Sequence, residues 1–454
     1  MPRYRARYII VDGIPQQGWE LDVRGGRIHR VGPQRESARD DVASDEVIDL
    51  GDVALTAGLV NAHSHAFQRA IRGHTEWLRA GRVDEDFWTW REAMYGAALS
   101  YSPEEVEAVA LRAYKEMART GITHVGEFHY LHHDRDGNPY EDPNELAHRV
   151  IRAAREAGLR ITLLRVAYNR AGHNRAADPM QRRFLETDCD TYIERLEALD
   201  AAWRDDPCVS VGLAPHSIRA VPGGWLRELA AYAGGHKKPL HIHACEQRAE
   251  ISQSLAEYGR TPLEVFRDMG MFEDALTTTL VHATHLTELE LELLGASNAL
   301  VCACPTTERN LGDGFLPALA LMRRGVPICL GSDSHATIDL WEEMRLVEYH
   351  ERLRYERRNV LAQAWPVWFG DDAGERWDVA RLLWPMGSAH GARSLGGEGG
   401  VLSAGAPADF VALELGHYSI EGTTSESLLS DVVLALKPDA VSGVWVAGEA
   451  IFTS

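Results

Sequence analysis

The sequence predicts an α/β protein: a (β/α)8 TIM barrel carrying a small β-sandwich domain built from both termini. Three observations predict it. Eight apolar runs of strand length alternate with helical patterns through the middle of the 454-residue chain. Each of those runs ends in a reactive polar residue. The two ends of the chain are instead β-rich with glycine punctuation, and neither is long enough to bury a core alone.

Residues 1–56 read as short strands, among them Tyr8–Val11, Trp19–Val23 and Arg27–Val31, broken by Gly13, Gly25 and Gly26. Residues 395–454 look similar, as in GVLSAGAPADFVALEL and SGVWVAGEAIFTS. The two ends are therefore expected to pair into one small sheet domain beside a barrel at 57–394. Barrel strands are expected at Ala57–His65, Thr123–His129, Arg160–Tyr168, Val209–His216, Pro239–Glu246, Thr278–His285, Ala299–Pro305 and Val326–His335. Between them, Ser102-Pro103-Glu104-Glu105 opens a helix with an N-cap serine, proline at the first helical position and glutamate at the third. Apolar residues recur at Val106, Val109, Ala110, Ala113 and Met117, and Gly121 closes the element. Thr261-Pro262-Leu263-Glu264 repeats the opening. An open doubly wound sheet is the structural alternative.

Composition excludes several function classes. The net charge of −20 argues against a nucleic-acid or anionic-membrane partner. No run approaches the roughly 18 unbroken apolar residues of a membrane helix. The N-terminal MPRYRARYIIVDG has no apolar signal core, so a cytoplasmic location is expected. Six cysteines in so long a chain do not make a disulfide framework, and Cys302 and Cys304 read as buried thiols on one strand face.

In a barrel the C-terminal ends of the strands converge on one mouth, where catalysis is done. The residues expected there are His63 and His65, His129-Tyr130, His216, His243 with Glu246, His282, and Asp333. Such a cluster of imidazoles and carboxylates suits a divalent metal. His63 and His65, two residues apart on a strand, point to the same face. His241 and His243 form a second such pair that spacing alone does not separate; Glu246, three residues on, favours His243 as the ligand and itself as an acid/base. Asp333 is a candidate ligand whose plain alternative is capping of the next helix. His282 is a candidate catalytic residue. No lysine ends the fourth strand, where His216 stands, so one metal is expected rather than a carbamate-bridged pair. His3Asp suits zinc, with iron or manganese as alternatives.

Taken in order, His63-Ser64-His65, His243-x-x-Glu246, His282 and Ser332-Asp333 resemble the deaminase branch of the amidohydrolase superfamily, and GAPADFVAL near the C-terminus resembles its small sheet domain. NAHSHAFQRAIRG (61–73), FWTWREAMY (87–95), GEFHYLHHD (126–134), APHSIRAV (214–221), HIHACEQ (241–247) and CPTTERNLGDG (304–314) narrow the resemblance to the formimidoylglutamate deiminase family. That resemblance implies one zinc on His63, His65, His243 and Asp333, with Glu246, His282 and Asp333 catalytic. It implies that Gln68, Tyr130, His216 and Arg219 shape the pocket, that N-formimino-L-glutamate is hydrolysed to N-formyl-L-glutamate and ammonia in histidine degradation, and that the protein is a homodimer. A dicarboxylate calls for arginines: Arg219 is expected to hold one carboxylate, and Arg72, Arg82 and Arg91 are unranked candidates for the other. Trp88 and Trp90 are expected to close the pocket or pack a dimer contact. The competing functions are a deaminase of the same fold acting on another amidine or on a purine, pyrimidine or triazine ring, and a non-catalytic barrel scaffold.

Overall fold

A computed structural model describes residues 2–35, 46–78, 80–81, 86–370 and 376–453. Seven strands come first: β1 (Arg3–Arg5), β2 (Tyr8–Val11), β3 (Ile14–Gln17), β4 (Trp19–Arg24), β5 (Arg27–Pro33), β6 (Val47–Asp49) and β7 (Val53–Ala57). Eight barrel strands follow: β8 (Leu59–Ser64), β9 (Ile122–His129), β10 (Arg160–Ala167), β11 (Val209–Pro215), β12 (Leu240–Ala244), β13 (Thr278–His282), β14 (Leu300–Ala303) and β15 (Ile328–Leu330). The last three are β16 (Phe410–Glu414), β17 (Val441–Val446) and β18 (Glu449–Thr453).

The terminal strands form two sheets, in the orders β5-β4-β1-β6 and β18-β17-β16-β7-β2-β3. The second draws its strands from both ends of the chain, with β7 antiparallel to β16. Tyr4 of the first sheet meets Phe410 and Trp445 of the second edge-on at 4.9 and 5.8 Å, which closes the sandwich with aromatic packing.

β8 to β15 pair in sequence order, all parallel, with helices between them. Their seam closes where Ser64 bridges to Asp333: Asp333 N donates to His63 O at 3.0 Å and His65 N to Asp333 O at 3.1 Å. All eight expected strands exist, but most expectations overrun at the C-terminal end. The chain leaves the ladder there in left-handed backbone, with φ of 73° at His282 and 46° at Asp333, conformations that non-glycine residues adopt at a cost. Ala57 belongs not to the first barrel strand but to β7, where it pairs with Phe410. The break falls at Gly58, where a Cβ would lie 2.2 Å from Thr123 Oγ1, so only glycine passes.

The helix Pro103–Arg119 starts as its sequence dictates, with Ser102 and Glu105 in a reciprocal capping box, and Pro262–Asp268 does likewise on Thr261 and Glu264. Small buried residues (Ala62, Val281, Cys302, Cys304 and Cys329) fill the barrel under its mouth. All six cysteines are free and buried. Among the described residues no helix is long and apolar enough to cross a membrane.

Candidate active site

The seam that closes the barrel also assembles the site. His63 and His65 stand at the end of β8, and Asp333 follows β15 across the seam. Gly331 lets the two strands approach: a Cβ there would lie 2.6 Å from His63 Cβ and 2.9 Å from His63 O. Asn61 clamps the same junction, its Nδ2 donating to Ser332 Oγ at 2.7 Å while its Oδ1 accepts from Ser332 N at 3.0 Å. Beneath it, Ser64 Oγ donates to buried Glu127 at 2.5 Å, and His335 Nδ1 sits 2.9 Å from Ser332 Oγ.

His63, His65, His243 and Asp333 bring one ligand atom each within 4.8 Å of one another. The two Nε2 atoms of His63 and His65 are 3.1 Å apart, and they lie 3.4 and 3.3 Å from Asp333 Oδ1. Nitrogens about 2.0–2.1 Å from a tetrahedral zinc are about 3.3–3.4 Å apart, so the spacing fits a bound ion. The hydrogen bonds fit too. His65 Nδ1 is 2.9 Å from Phe128 O and His243 Nδ1 is 2.9 Å from His216 O. A carbonyl only accepts, so both Nδ1 atoms carry the proton and both Nε2 lone pairs face the cluster. Burial, reinforced by His63, pushes His65 down to about 3. Burial likewise lowers His63 and His243, which leaves neutral imidazoles as metal ligation requires. Burial would raise Asp333, but the His63 imidazole holds it below the usual carboxylate range. The helix that follows is capped by Asp339, not Asp333.

His241, one pleat repeat closer to the N-terminal end of β12, is buried against Ser394 O at 2.8 Å and takes no part. His282 does reach the mouth. Its Nε2 is 3.7 Å from Asp333 Oδ2 and 3.8 Å from Glu246 Oε1, and its Nδ1 is 3.4 Å from Glu308 Oε1. Burial alone would lower it, yet Glu246, Glu308 and Asp333 together raise it to about 10. Burial raises Glu246.

Above the cluster opens a cavity of about 510 Å³ including its mouth, lined among others by Gln68, Tyr130, His216, Arg219, Glu246 and His282. Gln68 Nε2 donates to Tyr130 Oη at 2.7 Å. Arg219 is buried, its Nε has no hydrogen-bond partner, and it forms no ion pair among the described residues. Arg91, half-buried, likewise has an Nε without a hydrogen-bond partner and no ion pair among the described residues, and it lines the same cavity from the helix Phe87–Ser100. Trp88 stands between them, 4.4 Å from the Arg91 guanidinium and 5.3 Å from that of Arg219. Of the three arginines left unranked by the sequence, Arg91 is at the site, Arg72 is exposed and does not line the cavity, and Arg82 lies outside the described residues. Trp90 lines the cavity wall.

Sequence reasoning missed Glu308, although it lies in CPTTERNLGDG one helical turn after Cys304, whose N–H it accepts at 2.9 Å. It also passed over Tyr95 and Tyr168, whose rings line the cavity. Tyr95 was within sight, four residues from Arg91 on one helical face.

Comparison with known proteins agrees with this architecture. Residues 54–451 match the model of the amidohydrolase family. The chain is 38% identical over 436 residues, 95% of its length and 91% of the relative's, to a formimidoylglutamate deiminase of Pseudomonas aeruginosa. It is 29% identical over 383 residues, 83% of its length and 76% of the relative's, to a 5-methylthioadenosine/S-adenosylhomocysteine deaminase of Halobacterium salinarum. Among solved structures, an amidohydrolase from Brucella melitensis superposes with a TM-score of 0.86 at 34% identity, covering 99% of this chain and 94% of that one. An adenosine deaminase from Xanthomonas campestris with bound zinc superposes at 0.79 and 25% identity, covering 99% and 92%. With its barrel, its terminal sandwich and its histidine–aspartate cluster at the strand ends, the chain is a hydrolase of the amidohydrolase family.

Proposed function

We propose that this protein hydrolyses N-formimino-L-glutamate to N-formyl-L-glutamate and ammonia, as a step of histidine degradation in the cytoplasm. The observation that carries the substrate is the pair of unpaired arginines, Arg91 and Arg219, facing one cavity above the metal-type cluster. In a chain of net charge −20, two cations that face one cavity and form no direct ion pair among the described residues mark a receptor for a ligand that brings its own carboxylates, although Glu246 and Glu250 act on Arg219 from a greater distance. A flat heterocycle brings none.

His63, His65, His243 and Asp333 would hold one zinc. The ion supplies a water whose pKa is lowered to about 7. Arg91 and Arg219 take the two carboxylates and thereby fix the formimino carbon over the cluster. His282, kept protonated by Glu246, Glu308 and Asp333, does not take a proton from the attacking water; with Asp333 Oδ2, 3.7 Å from its Nε2, it orients that water, which enters as hydroxide with its proton released to solvent. Glu246 donates its proton to the imino nitrogen as hydroxide adds to the carbon, then takes the hydroxyl proton of the tetrahedral adduct and hands it to the same nitrogen as the carbonyl forms and the C–N bond breaks, so that nitrogen leaves as ammonia. Its raised pKa suits a carboxyl that enters the reaction protonated. Gln68, Tyr130 and His216 complete the wall around the reacting end.

Arg219→Ala tests the substrate assignment. The reading requires KM for N-formimino-L-glutamate to rise at least tenfold, or turnover to vanish, with zinc content unchanged. Near-normal kinetics would favour a neutral ring substrate instead.

A further inference from the structure

Gln181 lies beside the cavity and is 1% exposed. Its amide orientation is fixed, because Asp178 N donates to its Oε1 at 3.0 Å in a capping box. Its Nε2 therefore faces the other way and donates twice, to Tyr168 Oη at 2.7 Å and to Tyr95 Oη at 3.0 Å. Both phenol oxygens are thus acceptors, and each still carries a proton of its own. The two oxygens are 3.4 Å apart, so one proton at most is shared between them. The second has no acceptor among the described residues. Both rings are buried and both line the cavity. Arg91 stands over the Tyr95 ring at 5.4 Å, so the region in front of the hydroxyls is electropositive. A spare O–H beside guanidinium groups that form no direct ion pair among the described residues suits an anionic acceptor.

We infer that Tyr95 and Tyr168, held by Gln181, are specificity-determining residues that complete the carboxylate receptor with Arg91 and Arg219. The inference rests on the dicarboxylate reading above and adds to it a neutral donor pair. Tyr95 and Tyr168 donate to a substrate carboxylate, and Gln181 is their positioning residue. Either hydroxyl alone keeps its bond from Gln181 and a proton free to donate, so each covers for the loss of the other.

The test uses the zinc-loaded full chain with Tyr95→Phe, Tyr168→Phe and the double variant. Glutarate binding is followed by calorimetry. Turnover is compared for N-formimino-L-glutamate and for N-propylformamidine, which lacks both carboxylates. A hydrogen bond to a charged group predicts that the double variant loses about tenfold or more in glutarate affinity and in kcat/KM for the dicarboxylate. Each single variant should stay within about threefold, and the amidine without carboxylates should change far less. Unchanged dicarboxylate values in the double variant, or equal losses on both substrates, would overturn the inference. Should that variant fail to fold, Gln181→Glu serves, since its carboxylate accepts both hydroxyl protons; the same loss is expected, and unchanged binding refutes. Wild-type protein that binds glutarate but releases no ammonia would overturn the hydrolytic reading alone, whereas wild type that binds no dicarboxylate would overturn the receptor.

Discussion

His65 owes its place to two constraints. Its position two residues from His63 turns both rings to the same face of β8, and its Nδ1 proton is spent on Phe128 O at 2.9 Å. The first is written in the spacing; the second is a contact with the neighbouring strand β9 that the sequence does not display. The same division runs through the site. His63, His65, His243 and Asp333 were legible because a strand has a period of two and a barrel gathers strand ends. Arg91 was not separable from Arg72 and Arg82, because a helix following a long loop can face either way and packing decides. Nor could spacing separate His243 from His241; the choice is made by depth along β12, where His241 meets Ser394 O. At this scale the clearest prediction concerns Glu246, which approaches His282 but is not in the ligand cluster. Glu246→Gln is expected to keep its zinc, as measured by metal analysis, while kcat drops by about 10²–10⁴. Zinc loss in that variant would contradict the assignment.

Among elements, the β8–β15 seam joins fold and chemistry, since the backbone bonds that close the barrel belong to His63, His65 and Asp333. Gly331→Ala would push a methyl to within 2.6 Å of His63 Cβ. Overpacking of that kind costs about 1–3 kcal/mol, so both Tm and zinc affinity are expected to fall, by calorimetry and by titration with a metal indicator. The helix Phe87–Ser100 offers a complementary test. Asp86 caps it by accepting from Trp88 N and Thr89 N at 3.0 and 3.2 Å, on the turn just ahead of Arg91. Asp86→Ala loosens that turn by about 1 kcal/mol. Steady-state kinetics should show KM for the dicarboxylate rising several-fold with zinc retained. Strands and capped helices were readable along the chain because alternation and capping boxes are local. Strand ends were misjudged because the left-handed turns at His282 and Asp333 are imposed by what they must face.

At the scale of the whole molecule, the sandwich is bound to the barrel through Asp409. Its carboxylate accepts from Arg160 Nε at 2.9 Å and Nη2 at 3.1 Å and from Ala447 N at 2.8 Å, while its backbone oxygen accepts from Gly58 N at 3.0 Å. Breaking a buried pair costs about 3–5 kcal/mol, and the slightly open Arg160 sets the expectation at the lower end. Asp409→Asn should lower Tm by several degrees and leave KM alone, which a melting curve and a kinetic run distinguish. That the termini make one domain was legible from their shared strand-and-glycine texture, whereas the ion pair that seats it on the barrel joins residues 249 positions apart and has no sequence signature. The central claim is that this barrel mouth deaminates an acidic amidine. Ammonia release by the zinc-loaded protein from N-formimino-L-glutamate, run beside adenosine, guanine and cytosine, tests it most directly. The account predicts release from the first compound alone; no release from it, or faster release from any of the rings, would contradict the account.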